Sequence, residues 1–111
     1  MVRSTGPVMD VFARLLDVAP DGSARYIARG QIVVDPAAED TLVRILLCHT
    51  GYLLQSGHSL CVHLFGSDFP EFVPHPGTGE NRWLARETRT NEQTVRLGGD
   101  EPARLTITVI E

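Results

Sequence analysis

The chain has 111 residues, a length that argues for one domain, with 42% hydrophobic and 22% charged residues and a formal net charge of −4. That composition excludes a disordered tail, collagen and a coiled coil, and the acidic balance leaves no basic footprint for nucleic acid or an anionic membrane. All ten basic residues are arginine, so no lysine nucleophile or Schiff base is available.

Residues 1–10 lack the charged-then-apolar layout of a signal peptide. With Gly6-Pro7 and only Val2, Val8 and Met9 as larger apolar residues, they also make a poor strand. The stretch 11–18 is a short apolar strand closed by the turn Pro20-Asp21-Gly22, where proline presets φ and glycine accepts φ > 0. A second strand over 25–34 puts Tyr26, Ala28, Ile32 and Val34 on one face and Arg25, Arg29 and Gln31 on the other. Residues 35–49 carry two signals. Asp35-Pro36 reads as an N-cap followed by proline at the first helical position, while Val43, Ile45 and Leu47 alternate as in a strand. The expectation is one helical turn after Pro36 and then a strand from about Leu42, with a helix throughout as the alternative.

A compact strand is expected over 60–65, between Ser56-Gly57 and Gly66-Ser67. Residues 69–89 hold Pro70, Pro74, Pro76, Gly77 and Gly79 without sustained periodicity, which makes a long irregular loop of the kind that is usually functional or interfacial. A short strand over 93–97 ends at Gly98-Gly99. The clearest pattern comes last: in 104–110, Leu105, Ile107 and Val109 alternate with Arg104, Thr106 and Thr108, as in a half-buried strand. Several short strands punctuated by glycine and proline point to an all-β antiparallel sandwich. No apolar run approaches the roughly 20 residues of a membrane span. Two cysteines are too few for a disulfide framework, so a cytoplasmic location is expected.

Candidate chemistry is sparse. Gly57-His58-Ser59-Leu60-Cys61 is one residue from the nucleophile elbow G-x-S-x-G, but the elbow needs a strand before the serine and a helix after it. Here a strand follows Ser59, and Cys61 would crowd the turn, so Ser59 reads as a turn serine. Cys61 and His63 share a strand face, with Cys48-His49 nearby, yet no cysteine pair has zinc-site spacing and no metal is expected. Ser67, Asp68 and His75 form a Ser/His/Asp trio of the sort chance supplies. Gly77-Thr78-Gly79 lacks the lysine and helix of a phosphate loop, and no cofactor is expected. Trp83, with Phe69 and Phe72 in the same loop, is the one ligand-binding candidate. It could stack on a sugar or aromatic group, but a loop tryptophan more often pins its loop to the domain body or to a neighbouring domain.

Four ordered blocks resemble a known family. Phe12-Ala13-Arg14-Leu15-Leu16-Asp17-Val18 with Pro20-Asp21-Gly22 and Gly30 is similar to F-x-A-x-L-x-D-V-x-P-D-G-x-x-x-x-L-x-x-G of the C-terminal domain of the CocE/NonD hydrolases, the X-Pro dipeptidyl-peptidase family. Ser56 to Leu60 with Val62 and Leu64 resembles P-G-H-R-I-x-V-x-V, Ser67-Asp68-Phe69-Pro70 resembles S-[ND]-F-P, and Thr78-Gly79 resembles the end of N-P-N-T-G. Thr94-Val95, Gly98-Gly99, Pro102 to Leu105 and Val109-Ile110 resemble the closing strands.

The resemblance implies a jelly-roll-like sandwich, related to galactose-binding domains, that lacks the family's first two or three strands. It also implies a non-catalytic role: buttressing an α/β-hydrolase domain that carries the Ser, Asp and His of a serine hydrolase acting on prolyl dipeptides, esters or amides. This chain alone is expected to be inactive. Departures fall at 35–41, shorter than in the family, at Phe65-Gly66 and at Pro74, His75 and Gly77. A stand-alone carbohydrate- or peptide-binding module and an oligomerisation domain are the alternatives. Missing leading strands would expose a sheet edge, so a homodimer is expected, with 42–47 and 11–16 at the interface.

Overall fold

The central element is the apolar stretch that begins at Met9. In the computed structural model, which describes residues 1–67, 81, 83, 84, 86, 87 and 90–110, it runs as one strand over Met9–Val18. The described residues form five strands and no helix: β1 (Val2–Ser4), β2 (Met9–Val18), β3 (Ala24–Val34), β4 (Ser59–Phe65) and β5 (Gln93–Val95). They make two antiparallel sheets, β3-β2-β4 and β1-β5, an all-β arrangement that fits a sandwich.

The β2–β3 hairpin forms where the turn residues predict it. Gly22 takes φ 88°, and its N–H donates to the Ala19 carbonyl at 2.9 Å. The Asp21 carboxylate accepts from both the Ser23 N–H (2.9 Å) and the Ser23 hydroxyl (2.7 Å), which holds the turn closed. These hydrogen bonds, led by the Ser23 hydroxyl, hold the Asp21 pKa below its ordinary value.

The sheet has an apolar inner face. Met9, Val11, Ala13 and Leu15 of β2 lie opposite Val34, Ile32, Gly30 and Ala28 of β3. On the other side of β2, Ala13 and Leu15 lie opposite Leu64 and Val62. A register shift between Leu15 and Leu16 leaves Ile27 as an extra residue. That bulge corrects the expected alternation of β3: Tyr26 pairs with Leu16 and shares the Arg14/Arg29 face, not the Ala28 face. On this outer face Phe12 stacks on Phe65 at 5.4 Å between ring centroids, and the Arg14 guanidinium lies 4.7 Å from the Phe65 ring centroid.

The N-terminal residues correct a second expectation. They do supply a strand, because β1 has partners on both sides. Val2 exchanges two 2.9 Å backbone hydrogen bonds with Thr41, and the other side of β1 pairs with β5. Asp40 lies between two arginines there, 3.1 Å from Arg96 and 3.8 Å from Arg3. Val2 therefore joins Met9, Val11, Val34 and Ala37 in the buried cluster that links the two sheets.

Two further segments differ from expectation. Residues 35–47 are neither helix nor regular strand, and the Asp35–Pro36 peptide is cis. The donors of Ala37 and Thr41 go to the carbonyls of Pro7 and Val2, which satisfies the backbone in extended form without a helical turn. The period-2 pattern is nevertheless real, since Val43 and Ile45 pack on the core while Leu42 and Leu46 face outward. Residues 104–110 are not a paired strand, because a strand needs a neighbouring ladder and no described residue offers one. The short strand expected over 93–97 ends at Val95. The side chains of Val11, Phe12, Ala13 and Leu15 are buried within the chain itself, so 11–16 cannot form the expected contact surface.

Candidate functional site

Asp17 ends the inward stripe of β2. It occupies the position after Val11, Ala13 and Leu15, where the alternation calls for another apolar side chain, and it is buried. A buried carboxylate must be hydrogen-bonded to be tolerated. Tyr52 and His58 meet that need: the Tyr52 hydroxyl donates to Asp17 Oδ2 at 2.6 Å, and His58 Nδ1 lies 2.6 Å from Asp17 Oδ1. His58 is placed by Gly57, whose φ of 83° turns the chain into β4, and by its own N–H donating to the Gln55 carbonyl at 3.2 Å.

The electrostatics follow from this geometry. The Tyr52 hydroxyl, followed by the His58 imidazole, holds Asp17 below the ordinary carboxylate range against the opposing effect of burial. The same hydrogen bond, accepted by an anion, pushes the Tyr52 phenol above its ordinary value.

The order of groups decides what the site can do. In a hydrolytic relay the histidine lies between carboxylate and nucleophile. Here the carboxylate is central, with one oxygen on the tyrosine and the other on the histidine. No described hydroxyl or thiol is bonded to His58, and Ser59 is an exposed residue pairing with Val18. The arrangement is a clamp that ties 52–58 to the end of β2, and it contains no activated nucleophile.

The other candidates are dispersed. Trp83 is 75% exposed, so its ring does not pin the loop to the described body of this chain. The Trp83 backbone N–H donates to Asn81 Oδ1 at 2.9 Å in a local turn. Phe69, Phe72, Asp68, His75 and 77–79 lie outside the described residues. Cys48 and Cys61 are free and exposed, and no group of three or more metal-ligating side chains occurs among the described residues. A shallow concavity on the outer face is lined by Arg14, Leu16, Ala24, Tyr26 and Arg29. No described helix is long and apolar enough to cross a membrane.

Reading residue by residue for catalytic types misses this clamp. Its signal was the single acidic residue at an inward position of an otherwise apolar stripe.

Among known families, the one described as the X-Pro dipeptidyl-peptidase C-terminal non-catalytic domain matches residues 1–106. No curated protein and no solved structure matches the chain.

Proposed function

The chain belongs to the X-Pro dipeptidyl-peptidase C-terminal non-catalytic domain family, and from that premise we propose that it serves as the β-sandwich, jelly-roll-like buttress of a CocE/NonD-type serine hydrolase in the cytoplasm. The reaction belongs to an α/β-hydrolase domain outside these 111 residues. The role of the chain is to cover and position that domain.

One observation carries the reading: several large apolar side chains have no cover among the described residues. Leu46 is 81% and Leu53 83% exposed, with Leu42, Leu54, Trp83 and Leu84 also outward. A soluble monomer rarely leaves so many large apolar side chains in water, and such surfaces mark protein contacts. The clamp of Asp17, Tyr52 and His58 fits this role, because it fixes the base of the segment that presents Leu53 and Leu54.

Sedimentation of the chain mixed with an α/β-hydrolase domain of this class from the same genome tests the reading. A 1:1 complex is expected, weakened at least about tenfold by Leu46→Asp or Leu53→Asp. Equal binding by those variants, or no complex, would count against it.

A second reading has Trp83 in its favour, since an exposed indole is a stacking platform for a sugar or a peptide. A saturable fluorescence shift with a simple glycan, lost in Trp83→Ala with the fold retained, would favour a binding module instead.

A further inference from the structure

The extra residue at Ile27 decides what stands on the outer face of the sheet. Counting back from Arg29, strict alternation would turn Tyr26 inward. The register shift between Leu15 and Leu16 sets it opposite Leu16 on the outer face instead. Bulges that re-aim a side chain in this way gather beside functional sites. The ring that this one turns outward belongs to a residue 52% exposed, and the next outward pair along the strands is Arg14 opposite Arg29.

Two arginines on directly opposed residues are an unfavourable pair, because like charges across a ladder repel. An anion between them converts that repulsion into a charge-assisted grip from two sides. The Arg14 guanidinium is steadied by the Phe65 ring, whose centroid lies 4.7 Å away. Both arginines interact elsewhere in the chain as well. A guanidinium has five N–H donors, so such contacts leave it capacity to hold an oxyanion.

The concavity lined by Arg14, Leu16, Ala24, Tyr26 and Arg29 has a volume of about 560 Å³, inside the range of about 300–1,000 Å³ for small-molecule sites. Its described lining includes no acidic residue. One end is cationic and the other apolar. Leu16 stands two residues beyond Arg14 on β2, about 6.8 Å further along at strand spacing. Tyr26 lies opposite Leu16, and Ala24 beyond it contributes only a methyl group. A ligand that suits both ends carries a carboxylate at one end and a ring at the other.

We propose that this concavity binds a small aromatic carboxylate, with its oxygens held by Arg14 and Arg29 and its ring packed against Tyr26 and Leu16. The site goes beyond the buttress reading and shares no residue with 42–54 or Trp83. Either can therefore fail without the other.

Nuclear magnetic resonance of the parent chain, with hydrocinnamate as the probe, tests the site. The side-chain Nε–Hε signals of Arg14 and Arg29 should shift saturably, while those of Arg3 and Arg96, beside Asp40, should not move. Hydrocinnamide keeps the ring and loses the charge; acetate keeps the charge and loses the ring. Each should bind at least about tenfold more weakly. Arg29→Gln should weaken hydrocinnamate binding at least about tenfold, and Tyr26→Ala by about three- to tenfold. A tripeptide ending in phenylalanine offers the same chemistry at a chain terminus. If it binds more tightly than hydrocinnamate the ligand is a peptide end, and if more weakly it is a free acid; either order supports the site. No saturable shift, equal binding of hydrocinnamide, equal shifts at Arg3 and Arg96, or unchanged affinity in a folded Arg29→Gln variant would overturn the proposal.

Discussion

Gly30 is where the account of the fold is most exposed to test. The segment 43–48 crosses β3 at this residue, and a Cβ built on Gly30 would lie 2.3 Å from the Leu46 carbonyl oxygen and 2.8 Å from Ile45 Cγ2. The first contact is with backbone, so relief requires the crossing segment to lift, carrying Ile45 off the core cluster. Gly30 has no positive φ, so the requirement is for space alone. Gly30→Ala should therefore destabilise by an overpacking cost of about 1–3 kcal/mol, although a strand alanine would otherwise be preferred. Taking about 2 kcal/mol and a urea slope of about 1.5 kcal/mol/M, the unfolding midpoint should fall by roughly 1.3 M. Gly51→Ala is the control. Nothing lies within 4 Å of its Cβ, so it should be neutral or stabilising by about 0.4–1 kcal/mol. A Gly30→Ala midpoint equal to or above that of the parent would refute the crossing.

Asp17 makes stability depend on pH in a defined direction. Its folded pKa lies below the unfolded value of about 3.9, so its contribution is present above that pH and lost as pH falls through the lowered folded value. Tyr52, raised above about 10, contributes below that pH and loses its contribution as pH rises through the raised folded value. Urea midpoints across pH should show both losses in the parent, and Asp17→Asn should lower the midpoint near neutrality and reduce the acid-side loss to the part that Asp21, also held below its ordinary pKa, contributes. Trp83→Ala should leave the stability of the chain within about 0.5 kcal/mol, because the ring is exposed; a larger loss would mean that the indole packs within the chain. The purified chain should not turn over an activated ester, and turnover abolished by Ser59→Ala would reinstate the elbow reading.

The sequence was most legible where backbone chemistry is local. The Pro20-Asp21-Gly22 turn and the strands on either side of it form as their residue types predict, because proline, glycine and alternation act within a few residues. Where a partner lies far along the chain, the local pattern is insufficient. Residues 1–10 look unfit for a strand until Thr41 and β5 are found on either side of Val2. Residues 104–110 have an ideal strand alternation and no described partner, since alternation reports which face can be buried and not whether anything covers it. The extra residue at Ile27 is invisible to a period count, and it moves Tyr26 to the other face. Asp17 could be seen as an anomaly in an apolar stripe, but Tyr52, 35 residues away, belonged to no pattern.

The buttress assignment is tested most directly by prolyl-dipeptide hydrolysis in a mixing experiment. A catalytic α/β-hydrolase domain of this class, from the same genome, is assayed alone, with increasing amounts of this chain, and beside the chain by itself. The account predicts that the chain by itself is silent and that its addition raises the activity or heat tolerance of the catalytic domain saturably, with an endpoint at equal molar amounts. Hydrolysis by the chain alone, or a catalytic domain indifferent to its presence, would contradict it.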